Sequence, residues 1–173
     1  MSAVYGKAQL KELDSFEEAM ASEDGLLLFD MFGSGELGDE YRCPTLWDYH
    51  DIARSSFWIG KPMLGQWIKD YTATICWLKE KYTIEFLTAY GYKDAGVAAF
   101  LSAALYGGID RVALEKSVKT LNWSDCDPGI NTFTLALCAT GILRYGDLTD
   151  LEKMMKQTNV EWIHPIRGDG EPI

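Results

Sequence analysis

The sequence predicts an α/β fold of three layers, α/β/α, with a mostly parallel sheet of four or five strands between helices. Three observations predict it. Residues 25–30, Gly-Leu-Leu-Leu-Phe-Asp, are apolar almost throughout, as strands covered on both faces are. Short β-rich runs alternate with helical patterns along the chain. Residues 83–101 enter a glycine turn from a β-rich run and leave it through a helix of small residues. The 173 residues suit one domain, 1–173, long enough to bury a core.

Each element has its own signal. Leu10, Leu13, Phe16 and Met20 recur at helical spacing and predict a helix over 8–21. The run at 25–30 predicts a buried strand that opens into a glycine-rich loop, 31–38. Residues 49–59 read as a helix. Pro62 opens the longest helix, to about Lys81, and Met63, Leu64, Trp67, Ile68, Tyr71, Ile75 and Leu78 mark its core face. Strands are predicted at 83–90, 108–115 and 160–166, and a helix at 148–157. Residues 122–142 read as loop with an uncertain helix.

Composition excludes several functions. A net charge of −10 without a Lys/Arg cluster argues against nucleic acid, because nothing would neutralise phosphates. No apolar run reaches the length of a bilayer span, and no basic segment followed by an apolar stretch opens the chain. A cytoplasmic location without a membrane partner is expected. Cys43, Cys76, Cys126 and Cys138 lack zinc spacing and read as reduced core thiols. No metal and no cofactor are expected. Asp39, Glu40, Asp48 and Asp51 read as a solvated acidic loop. Trp47, Trp58 and Trp123 could line a sugar or partner surface, although core packing is the ordinary use of tryptophan.

The turn after the strand at 83–90 carries the chemistry. A Gly-x-Ser-x-Gly elbow presents a nucleophile at a sharp strand-to-helix turn. With Gly96 as the last glycine, Asp94 takes the serine position and Tyr92 that of the first glycine. Asp94 is then either a nucleophile, whose carboxylate attacks carbon without prior deprotonation, or a cap on the following helix. The backbone N–H of Ala95 and a second donor at Gly6 or Lys7 would hold an oxyanion. His164 is either a general base in an unusual place or a strand histidine held by backbone. His50 reads as surface, and Ser34 as a turn residue.

Several segments together resemble an α/β-hydrolase, and more narrowly the bacterial acetyl-xylan-esterase-like branch. Residues 29–36 look like that branch's Asp-x-x-Gly-x-Gly-Glu turn after the fourth strand. Residues 51–54, 60–65, Asp70 and Leu78 resemble its helix pair, and 143–148 with Asp150 and Leu151 the segment before its seventh strand. Residues 4–7 look like the end of the third strand and the oxyanion loop. The resemblance implies Asp169 as the catalytic acid, with Asp94 as nucleophile and His164, or another chain, supplying the histidine. The chain would lack the first strands and the final strand with its histidine. The expectation is therefore a truncated α/β-hydrolase core, a catalytically degenerate or split member acting as a subunit or scaffold. It would pair with its own copies or with a larger hydrolase subunit. The other expectation is an active ester hydrolase, carbohydrate acetyl esterase-like, binding a small ester or carbohydrate.

Overall fold

The computed structural model describes residues 1–3, 5–22, 24–38, 49–124 and 135–173. Its sheet has four strands, β1 (Ser2–Ala3), β2 (Thr88–Tyr92), β3 (Arg111–Glu115) and β4 (Asn159–Ile163). They lie side by side in that order and every pair is parallel. The predicted fold class is what the chain adopts.

The period of two along each strand divides the core into two layers. Ala89, Val112, Leu114, Val160 and Trp162 face one side, and Tyr90, Tyr92, Ala113 and Ile163 the other. The first side is covered by α3 (His50–Trp58), α4 (Met63–Lys81), α5 (Asp94–Tyr106) and α6 (Leu148–Met154). The second side packs on α1 (Lys7–Leu10) and α2 (Asp14–Ala21), through Leu10 and Phe16.

Helix α5 is the centre of the molecule. Residues 94–103 are all buried, so this helix has no solvent face in its first ten positions. Its small residues let it approach the sheet closely. A Cβ on Gly91 of β2 would fall 2.4 Å from the Gly96 Cα, so strand and helix touch backbone to backbone. On its outer flank α5 packs against α4, whose predicted stripe is borne out as far as Ile75: Met63, Leu64, Trp67 and Tyr71 are buried, with Ile68 and Ile75 packed beside them, while Leu78 is outside the core cluster. The Tyr71 hydroxyl donates to the Tyr90 carbonyl at 2.9 Å and shares a hydrogen bond with Ser2 Oγ. Burial raises its pKa, which keeps it a donor.

Three readings change. The helix at 8–21 is two helices, because Leu13 is extended (φ −106°, ψ 139°) and Asp14 starts a new acidic first turn. Residues 25–30 run beside β1 without joining the ladder. The Phe29 N–H reaches the Met1 carbonyl at 3.3 Å, while Asp30 turns into the following loop. Cys76 is exposed and is no core thiol, since it lies on the outer face of α4; it and Cys138 are free. Cys43, Cys126, Trp47, Asp39, Glu40 and Asp48 lie outside the described residues. Among the described residues no helix is long and apolar enough to cross a membrane, and no group of His, Cys, Asp and Glu is arranged to hold a metal.

The packing around α5 yields a stability prediction. Phe100 is fully buried against Trp162, with ring centroids 5.9 Å apart. Phe100→Ala should cost about 3–5 kcal/mol in chemical denaturation. Trp58→Ala, at a side chain 70% exposed, should change stability by about 0.5 kcal/mol or less. Equal costs at the two positions would overturn the placement of the core.

Candidate ligand site at the carboxyl ends of the strands

Parallel sheets place ligands beyond the carboxyl ends of their strands, and the elbow lies there. Strand β2 ends at Tyr92 and α5 begins at Asp94, so one residue makes the turn. That residue is Lys93, with φ 55° and ψ −129°. A side chain with a β-carbon seldom enters this region, and the cost is on the order of 1–3 kcal/mol. Three neighbours hold it there. The Lys93 N–H donates to the Glu115 carbonyl at 2.8 Å. Its carbonyl accepts from the Gly96 N–H at 2.9 Å and from Ser117 Oγ at 2.7 Å. A Cβ on Gly96 would fall 2.1 Å from Ser117 Oγ, so the glycine makes room for that hydroxyl.

The apex is therefore one residue earlier than the sequence suggests. The turn reads Gly91-Tyr92-Lys93-Asp94-Ala95, with Gly91 in the first small position, Lys93 in the strained position and Ala95 in the last. Gly96 drew the sequence alignment one step too far, because it too is needed, for Ser117 and β2. Gly91, two residues before a lysine at a strand end, was the available signal.

The other candidate residues fall as follows. Asp94 is the first residue of α5 and is 6% exposed. Ala95 follows it, with an N–H in the first turn, where no helical carbonyl can satisfy it. Gly6 is left-handed (φ 97°), but its N–H donates to the Ala3 carbonyl at 3.0 Å and is thereby engaged. The Lys7 N–H is engaged too, by Asp30 Oδ1 at 2.6 Å. Asp30 also accepts from the Glu36 N–H at 3.1 Å and pairs with the Lys7 ammonium at 3.5 Å. This carboxylate, 4% exposed, is the physical reason for the Asp-x-x-Gly-x-Gly-Glu pattern, since a Cβ on Gly35 would strike it at 2.4 Å. Ser34 is a turn residue as expected; its hydroxyl donates to the Met31 carbonyl and accepts the Met31 N–H.

Asp169 lies in the loop after β4, where Arg167 pairs with it at 3.0 Å. The loop returns to the elbow through Ile166, whose N–H donates to the Ser117 carbonyl at 3.1 Å. His164 is exposed, directly after β4, with φ 48°. His50 starts α3 and is half-buried. The topology thus brings Asp94, after β2, and His164 and Asp169, both after β4, to one end of the sheet.

Helix α4 grips the glycine loop beside this end. Trp67 Nε1 donates to the Phe32 carbonyl at 2.7 Å, and the Phe32 N–H donates to Asp70 Oδ2 at 2.7 Å. Burial raises the Asp70 carboxyl, and the Phe32 N–H offsets part of that rise.

Comparison of the chain with protein-family models, with curated proteins and with solved structures found no match.

Two measurements follow from this geometry. Lys93→Gly removes the left-handed strain and should raise stability by about 1 kcal/mol or more, while Lys93→Ala, which keeps a β-carbon, should not. Equal melting curves for the two variants would overturn the strained apex. A raised carboxyl favours the protonated form in the fold, so its stabilising effect is complete below the ordinary carboxylate pKa. It is lost as pH rises through the raised value of Asp70. The parent should therefore lose stability relative to Asp70→Asn as pH rises through the ordinary carboxylate range and beyond it, and a pH-independent difference would count against this.

Proposed function

We propose that this chain is an α/β-hydrolase-like protein that binds ligands or partners without hydrolysing them, as a subunit or scaffold. One observation carries the reading: the strained apex, where such folds hold their nucleophile, is a lysine. Lysine brings neither hydroxyl nor thiol nor carboxylate to that point. Asp94, one step on, belongs to the first turn of α5, where negative charge is favoured by the helix dipole. The N–H groups of Gly6 and Lys7 are engaged inside the fold, so an oxyanion would find no donor from them.

The ancestry rests on the order of the motifs quoted above and on the strained strand–turn–helix. Ester hydrolysis of acetylated carbohydrate is what that ancestry implies for an active relative. In this chain such activity would need Asp94 as nucleophile and a histidine from His164 or from another chain. The subunit role rests on β4, which among the described residues is hydrogen-bonded to a neighbouring strand on one side only. An open edge of this kind invites pairing with a second copy or with a larger hydrolase subunit.

Two experiments test the proposal. Short acyl esters and haloalkanes should not be turned over above the uncatalysed rate; turnover that disappears in Asp94→Ala would replace the binding reading with the enzymatic one. Light scattering should give a mass above the 19.4 kDa of one chain, alone or with its partner subunit. A monodisperse monomer that captures no second subunit would end the scaffold role.

A further inference from the structure

The three neighbouring strands β2, β3 and β4 each end on the same device. Tyr92, Glu115 and Ile163 are in register across the sheet, and the residues that follow them are Lys93, Lys116 and His164. All three are left-handed, with φ of 55°, 48° and 48°. Among the described residues only one other non-glycine residue, Tyr49, has positive φ. The ladder continues through them, since the Lys93 N–H reaches the Glu115 carbonyl and the Lys116 N–H the Ile163 carbonyl at 2.9 Å. Their backbones therefore stand in a row, about 5 Å from one to the next. Left-handed backbone at a β-carbon residue is costly, and its concentration at one edge is the mark of a site.

The side chains of the row share a chemistry. The ammonium groups of Lys93 and Lys116 lie over the same ring, that of Tyr92, at 5.7 and 5.8 Å from its centroid. Lys93 is also 5.7 Å from the ring of Tyr5. Like charges gathered on one ring repel, and in this chain of net charge −10 the usual remedy is a carboxylate. Two other cations at this end have one: Lys7 pairs with Asp30 and Glu36, and Arg167 with Asp169, whereas Lys119 lies over the Trp162 ring at 5.6 Å. Glu115, at the end of β3 and on the same face as Tyr92, is taken by the Tyr90 hydroxyl, which donates to it at 2.6 Å. Among the described residues Lys93, Lys116 and His164 form no ion pair.

We infer that Lys93, Lys116 and His164 form a binding site for a small molecule carrying a dianionic oxyanion, a phosphate or a dicarboxylate. The two ammonium groups neutralise it, the imidazole adds an N–H donor, and the rings of Tyr92 and Tyr5 wall the site. The inference deepens the binding reading above and shares its site, but it does not depend on the absence of turnover.

The test is a titration of the intact chain with inorganic phosphate, and separately with succinate, followed by amide NMR at constant chloride. Saturable shifts at 93–95, 116–117 and 164 are expected, and the tighter of the two anions names the head group. Lys93→Gly and Lys116→Gly keep residues that accept left-handed backbone, so both should fold, as thermal melts will confirm. Each should weaken binding about tenfold, the loss expected for a charged hydrogen bond. Lys61→Gln, at an exposed lysine between α3 and α4, should leave binding unchanged. No saturable shift with either anion, or equal weakening by Lys61→Gln, would overturn the site. Ester turnover with anion binding intact would sink the non-hydrolytic reading and leave this site standing.

Discussion

The contact between Gly91 and Gly96 sets the geometry on which the rest of the molecule depends. Where the backbones of β2 and α5 meet, no atom can be added on either side without displacing main chain. The chain must therefore reverse from strand to helix within one residue, and Lys93 takes a conformation it would not choose. Ser117 closes the arrangement from the third side by holding the Lys93 carbonyl. Because α5 is buried along its first ten residues, its position also decides where α4 lies, and α4 in turn holds the glycine loop through Trp67 and Asp70. Packing thus runs from one backbone contact outward to the rim of the candidate site.

Electrostatics divides that rim into two kinds of charge. Asp30 is a structural hub, buried and satisfied by two backbone N–H groups and the Lys7 ammonium. Removing it would leave those donors without an acceptor, a loss of structure more than of function. Asp147 does comparable work across the molecule. It accepts from the N–H groups of Leu121 and Leu148 and from the Thr120 hydroxyl, tying the loop after β3 to the start of α6. Lys93 and Lys116 are different. Their backbones are held tightly, while among the described residues their ammonium groups rest on aromatic rings and on no carboxylate.

Much of the fold was legible in the sequence, and the reason is periodicity. The stripe of α4 repeats a physical spacing several times, so no single residue decides it. Residues 25–30 were harder. An apolar run is equally compatible with a ladder strand and with an extended segment lying beside one, and only the partner distinguishes them. The break after Leu10 was illegible for a similar reason, because Leu10, Leu13 and Phe16 contact the same layer whether the helix is continuous or not. The elbow was legible as a motif but not in register. Asp94 and Gly96 looked like its chemistry, whereas the strain falls on Lys93, and a dihedral angle leaves no trace in composition.

The row of Lys93, Lys116 and His164 was invisible from sequence because its members are separated by 22 and 47 intervening residues and belong to no shared motif. Only the parallel register brings them together. A parallel sheet delivers each strand end to the same edge, and there the next residue of every strand meets its counterparts. A nucleophile elbow uses this edge to hold one short reactive side chain against a backbone donor. A lysine at the same apex reaches several ångströms further and carries charge at its tip, so the chemistry moves from the turn itself to the space above the sheet. The strain is retained although no short nucleophile uses it. The edge serves positioning: from adjacent strand ends, Lys93 and Lys116 bring their ammonium groups to the one ring of Tyr92.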